Sequence, residues 1–390
     1  MTQRKDRTPE PRKLPRSEVH VVVGGQFGSE GKGAFVSALH ERLVRRGFDV
    51  TGIRVGGPQA GHTSFYRGRA YKWQQLPAFG AAARPGRDRL VIGPGAEVDP
   101  EQFARERAWV PPGVEVEVSE AATLMRPRYS SQEALEHLGE RLGSTQHGVG
   151  AARAARIWRE ALTVGQSFSG QVVEVAWPAG VMFPSPDASP LDSMHPWGDA
   201  VIVEGTQGMG LSLHSSFYPF CTSGDVDPAS TLALAGFPPM RWGRREFPRL
   251  RVWVVFRPFP IRVGGNSGPL LDETTWENLG LPEERTTVTN RVRRVGRWDP
   301  VLYHSSMRRA GPEAVPVLMM LDQLDGGAAG LGRRTDGGEP SELDPATRGF
   351  THSRLMQAAH RLLRTEVSWG YCGTSPFSGL WADELMEYLP

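Results

Sequence analysis

The sequence predicts an α/β protein, with a mostly parallel central sheet, flanking helices and long loops. Three observations carry that prediction. Short, nearly continuous apolar runs recur along the chain, as strands buried on both faces of a sheet do. Amphipathic helical patterns alternate with them, which favours parallel strands joined by crossovers. A glycine-rich turn, residues 24–33, separates the first apolar run from the first helical pattern. Strand, glycine turn and helix is the order in which backbone amides and a helix N-terminus cradle phosphate.

In chain order, strands are expected at 21–25, 50–55, 89–92, 114–118, 200–204, 251–256 and 315–321. The first helix is expected at 34–46, with Phe35, Leu39 and Leu43 on one face. Residues 1–17 mix Arg4, Lys5, Arg7, Arg12, Lys13 and Arg16 with prolines and contain no apolar run. They read as a disordered basic tail rather than a signal peptide. The Pro- and Ser-rich stretch 178–199 and the Gly-rich stretch 326–351 read as long loops, not interdomain linkers, so 18–390 is expected to form one domain.

With 45 basic and 43 acidic residues, the balance argues against a nucleic-acid partner. No run approaches the roughly 20 apolar residues that span a membrane. Cys221 and Cys372 form no metal or redox pattern, and a reduced, cytoplasmic compartment fits them.

The glycine turn departs from the standard P-loop. Gly31 and Lys32 are present, but Gly33 replaces the Ser/Thr that holds magnesium, and Gly25 lies one residue too far back. Lys32 still offers a positive charge to a phosphate oxygen. A second segment, Gly56-Gly57-Pro58-Gln59-Ala60-Gly61-His62-Thr63, follows the next strand and should reach the same sheet edge. An imidazolium at His62 would donate to phosphate oxygens as they gain charge.

Together these segments resemble adenylosuccinate synthetases, whose signatures are G-Q-W-G-D-E-G-K-G and N-A-G-H-T. Here they read Gly25-Gln26-Phe27-Gly28-Ser29-Glu30-Gly31-Lys32-Gly33 and Gln59-Ala60-Gly61-His62-Thr63. The resemblance continues in order through Gly143-Ser144-Thr145, Glu204-Gly205-Thr206-Gln207-Gly208, Tyr218-Pro219-Phe220-Cys221-Thr222-Ser223, Arg262-Val263-Gly264 and Thr289-Asn290-Arg291-Val292-Arg293-Arg294.

The resemblance implies a P-loop-like synthetase fold and a C–N ligase, one that phosphorylates a purine 6-oxo group and lets aspartate displace the phosphate. It also implies Mg²⁺ and a homodimer. Gly28, Ser29, Glu30, Gly31, Lys32, Gly33, Gly61, His62, Thr63, Asp322, Ser375 and Pro376 would bind the phosphate donor. Ser29, Gln59, Ser144, Thr145, Gln207, Leu211, Thr222 and Arg159, the last from a partner subunit, would bind the purine monophosphate. Thr289, Arg291 and Arg293 would clamp aspartate. Ser29, Lys32, His62 and Gln207 would carry the chemistry, with the Gly61 carbonyl and Ser29 at the metal.

Two departures bear on substrates. Ser29 stands where the family has an aspartate that serves as base and magnesium ligand. Three readings stay open: an inactive nucleotide-binding descendant, an ordinary GTP-dependent synthetase on inosinate with another base, or a changed substrate. In the third, serine makes room for a purine 2-amino group, so the substrate is dGMP, as in a phage branch of the family. The family's guanine-reading T-K-L-D is here Met319-Met320-Leu321-Asp322, which fits ATP or dATP as donor.

Overall fold

The computed structural model describes residues 17–167, 175–185, 199–237, 249–286, 291–320, 323, 371–375 and 378–381. The strands in chain order are β1 (Glu18–Gly24), β2 (Asp49–Arg54), β3 (His62–Tyr66), β4 (Arg69–Trp73), β5 (Arg89–Ile92), β6 (Glu97–Val98), β7 (Glu115–Val118), β8 (Thr123–Leu124), β9 (Val181–Met182) and β10 (Asp199–Glu204). They continue with β11 (Arg249–Phe256), β12 (Ile261–Arg262), β13 (Glu273–Thr274), β14 (Arg294–Gly296), β15 (Val315–Leu318), β16 (Tyr371–Ser375) and β17 (Ser378–Trp381). The helices are α1 (Lys32–Arg45), α2 (Pro100–Arg107), α3 (Pro127–Leu135), α4 (Leu138–Leu142), α5 (Val149–Trp158), α6 (Pro228–Leu234) and α7 (Pro300–Ala310).

Ten strands form one sheet in the order β17-β16-β15-β11-β1-β10-β2-β5-β7-β9. Every neighbouring pair is parallel except β16 and β17. All seven expected strands are present. The last stops at Leu318, three residues early, because the chain turns through a left-handed Met320 (φ 58°). The 178–199 loop also supplies a short edge strand, β9, which pairs with β7. Ser17, placed in the tail by sequence, is buried, and its carbonyl accepts from the Arg249 N–H. Residues 1–16 and 326–351 lie outside the described residues.

Alternation along β1 feeds two cores. Val22 packs with Phe35, Val36, Leu39 and Leu43 of α1 on one face. Val19, Val21 and Val23 pack with Leu232 of α6 and Tyr303 of α7 on the other. This burial on both faces leaves the loops at the sheet's C-terminal edge as the place for chemistry. Among the described residues no helix is long and apolar enough to cross a membrane.

Candidate active site

Five parallel strands, β1, β10, β2, β11 and β15, end at one edge, and their following loops carry most of the expected site. The turn after β1 is held open from within. Glu30 is fully buried, and its Oε1 accepts from the Gln26 N–H (3.1 Å) and the Gly28 N–H (2.8 Å). Its Oε2 pairs with Lys32 Nζ at 2.7 Å. The Glu30 side chain therefore organises the loop and holds Lys32. A carboxylate beside phosphates would repel them; turned inward, it shapes their cradle.

Gly31 caps α1 at φ 95°, a left-handed conformation that L side chains rarely adopt. Gly33 answers a different need. A Cβ there would lie 2.7 Å from the Thr63 carbonyl oxygen and 2.9 Å from His62 Cβ. The glycine that spoils the standard P-loop is what lets β3, with His62 at its start, cross the first turn of α1.

His62 sits above a buried ion pair. Arg54 and Glu204 are register partners at the ends of β2 and β10, with Arg54 Nη1 2.6 Å from Glu204 Oε1. His62 Nδ1 donates to the same Glu204 oxygen. The short Arg54–His62 approach follows from two donors sharing one acceptor, which assigns the proton to Nδ1. The Ala78 N–H holds the other Glu204 oxygen at 2.8 Å. Burial, then the Arg54 charge, push the imidazole down to about 4 against the pull of Glu204. The imidazolium expected from sequence is thus a neutral ring in the unliganded chain. Glu204 and Arg54 were not marked in the sequence as functional; the signal was a carboxylate ending one strand and an arginine ending its neighbour.

Ser29 adopts φ 61°, and so does Gln207. Left-handed non-glycine residues are uncommon and gather at functional sites. A Cβ on Gly28 would lie 3.7 Å from Gln207 Oε1, so the Gln207 carboxamide rests against the turn beside Ser29. The Ser29 hydroxyl accepts from Arg293 Nη1 at 2.7 Å. The fully buried Arg257 ties the same loops together. It donates to the Ser29 carbonyl (3.4 Å) and to Glu284 (2.6 and 3.1 Å), and its backbone pairs with the Gln26 carboxamide. The Glu284 carbonyl in turn accepts from the Arg293 N–H at 2.8 Å. Arg291 is exposed, and its Nη1 would lie 3.6 Å from a Cβ on Gly265.

The residues expected from sequence at the monophosphate are partly assembled. The Leu211 carbonyl accepts from the Thr222 N–H at 2.8 Å, joining those two loops. Ser144 Oγ lies 3.4 Å from Glu133, which also accepts from the Gly148 and Gly150 amides (3.0 and 2.7 Å). Thr145 precedes that helix, α5, and is half-buried. Arg159 lies at the far end of α5, exposed and at φ 65°, beside Ile157 (70 % exposed) and Trp158 (74 %). On the donor side, Met319 Cβ would sit 3.3 Å from a Cβ on Gly31, so the segment after β15 covers the α1 N-terminus. Thr289, Asp322 and Pro376 lie outside the described residues, and Ser375 is described only as backbone ending β16.

The residues fit magnesium only in part. Among the described residues no three His, Cys, Asp or Glu side chains gather to hold a metal. The Ser29 hydroxyl is engaged by a guanidinium, which disfavours a second cation there. Gly61 is exposed, with open space around it, and suits an ion that keeps phosphate and water ligands.

The family model for adenylosuccinate synthetase matches residues 21–177 and 187–329. The chain belongs to the adenylosuccinate synthetase family. With that membership it is a C–N bond-forming ligase. It is 35 % identical over 324 residues to the adenylosuccinate synthetase of Pyrococcus sp. (strain ST700), covering 80 % of this chain and 86 % of that one. It is 30 % identical over 319 residues to the N6-succino-2-amino-2'-deoxyadenylate synthase of Vibrio phage phiVC8, covering 76 % and 84 %. Among solved structures it resembles the cyanophage S-2L succinoaminodeoxyadenylate synthetase bound to dGMP and dATP as an energy donor. That match has a TM-score of 0.73 at 25 % identity and covers 96 % and 98 % of the two chains. The Plasmodium falciparum adenylosuccinate synthetase shares the fold, with a TM-score of 0.64 at 16 % identity over 92 % and 98 %.

Proposed function

We propose that this ligase joins L-aspartate to dGMP, driven by ATP or dATP, giving 2-amino-2'-deoxyadenylosuccinate for 2-aminoadenine DNA. The observation that carries the reading is Ser29, a small neutral side chain held by Arg293 on the turn whose preceding residue, Gly28, adjoins Gln207. A purine 2-amino group beside N1 needs space and a hydrogen-bond acceptor, and a serine hydroxyl offers both. Likeness to the two phage enzymes supports the reading.

In this account Lys32 and the α1 N-terminus hold the triphosphate, and Gln207 contacts the base. As N1 gives up its proton to water, oxygen O6 attacks the γ-phosphorus, and the P–O bond to the departing nucleoside diphosphate breaks. The aspartate amine, oriented by Arg291 and Arg293, then attacks C6 and expels phosphate. His62, fixed by Glu204, lies beside Lys32 and orders the phosphoryl group in transit; the negative charge of a bound triphosphate raises its proton affinity. Magnesium, if held by the Gly61 carbonyl together with phosphate oxygens, would neutralise charge on the triphosphate. Thr145, Thr222 and the partner subunit's Arg159 hold the 5'-phosphate. The exposed Ile157 and Trp158 beside Arg159 suit burial in such a homodimer. A single domain acting in a reducing cytoplasm completes the reading.

The test is a phosphate-release assay with aspartate and each nucleotide in turn. dGMP supports release; turnover with IMP but not with dGMP or GMP overturns the substrate claim. Nucleotide binding without release would return the chain to a non-catalytic binding protein.

A further inference from the structure

We propose that Arg153 is a ligand of the nucleotide's 5'-phosphate, supplied by the same subunit that carries Thr145 and Thr222. The inference rests on the monophosphate site proposed above and adds to it a cation that the family resemblance did not point to.

Arg153 lies on α5 and grips Glu97 by one edge, with Nε at 2.6 Å and Nη2 at 3.2 Å. This pairing fixes the guanidinium plane and leaves Nη1 as the outer donor, without a hydrogen-bond partner among the described residues. Nη1 lies 2.5 Å from where a Cβ on Gly224 would stand, against the backbone two residues beyond Thr222. One turn back on the same helix, a Cβ on Gly150 would lie 3.8 Å from Ser223 Cβ. On the opposite side, a Cβ on Gly57 would meet Gln59 Oε1 at 2.5 Å and Glu97 Oε2 at 3.0 Å. Gln59 Oε1 is buried with no partner. Gln59 and Arg153 thus both adjoin Glu97, and Arg153 also adjoins the 222–224 loop.

Charge decides the role. A phosphomonoester carries nearly two negative charges at neutral pH. Gln59, Thr145 and Thr222 are all neutral. Arg159 sits at the exposed end of α5, where its Nη1 donates to the Ile157 carbonyl at 2.7 Å. Arg153 is a cation of this subunit beside the Thr222 loop, as is Arg262, which donates to the Phe220 carbonyl. Glu97 keeps it from being an unpaired buried charge when no nucleotide is bound.

The experiment measures binding of dGMP and of deoxyguanosine to the full chain by calorimetry, for wild type, Arg153→Lys and Arg153→Met. IMP and inosine run in parallel, so that a wrong base assignment is not mistaken for a wrong phosphate ligand. Arg153→Met weakens the nucleotide about 10- to 100-fold and the nucleoside less than about twofold, and Arg153→Lys falls between. Equal weakening of nucleotide and nucleoside, or no change in either, overturns the proposal. If Arg153→Met does not fold, the Glu97→Gln/Arg153→Met pair, which leaves no buried charge unpaired, is read in its place by the same criteria.

Discussion

The hydroxyl of Ser29 accepts a hydrogen bond from Arg293 at 2.7 Å, although 264 residues separate them in sequence. This contact joins the phosphate loop to the arginine pair assigned to aspartate. Arg257 backs the same junction through the Ser29 carbonyl and Glu284. A carboxylate at position 29 would pair with Arg293 and project toward the space given to the purine 2-amino group. Ser29→Asp therefore lowers kcat/KM for dGMP, on the order of tenfold or more. Steady-state kinetics check this, and a gain on dGMP would refute the crowding argument.

His62→Ala costs on the order of 10²-fold or more in kcat, as for loss of a positioned transition-state donor. Glu204→Gln removes the negative charge that Arg54 and His62 share and leaves one acceptor oxygen where Arg54, His62 and the Ala78 N–H now use two, and costs roughly tenfold or more. Phosphate-release rates at saturating substrate measure both. Wild-type rates in Glu204→Gln would show that the ring needs no orientation from β10.

Gly33→Ala places a methyl group against the Thr63 carbonyl and His62 Cβ. Backbone cannot yield as a flexible side chain does, so about 1–3 kcal/mol of stability is lost. His62 is displaced along with β3. Denaturant midpoints and kcat should fall together; an unchanged midpoint would contradict the close crossing.

Asp88 anchors the back of the sheet, accepting from His40 (3.0 Å), the Val50 N–H (3.1 Å) and Arg84 (2.7 Å). Burial alone would raise its pKa, but the His40 and Arg84 hydrogen bonds outweigh it and hold the carboxyl well below the usual carboxylate range. A depressed carboxylate stabilises the fold above its unfolded value, near 3.8, and that stability is lost as pH falls toward the folded value. Asp88→Asn thus lowers the melting temperature at pH 7, and its melting temperature changes less than wild type's below pH 4. Thermal melts across pH 3–7 test this, and parallel curves would refute it.

The central strands were legible because they are buried on both faces and read as apolar runs, and the first helix because Phe35, Leu39 and Leu43 repeat on one face. The loops that follow the central strands were legible as motifs, and Ser29, Lys32, His62 and Gln207 lie in or next to them. What sequence concealed depends on pairing across the sheet edge. Glu204 meets Arg54 only because β10 and β2 are neighbours in register. The turn folds the Glu30 carboxylate back onto its own amides. The charge state of His62 depends on burial and on an arginine from another strand, neither visible in a local motif.

The most direct test of the account is the ratio of kcat/KM for dGMP to that for IMP, compared between wild type and Ser29→Asp. The ratio is well above one in wild type and drops toward or below one in Ser29→Asp. A wild-type ratio below one, or a ratio that the substitution leaves unchanged, would contradict the claim that Ser29 selects the purine.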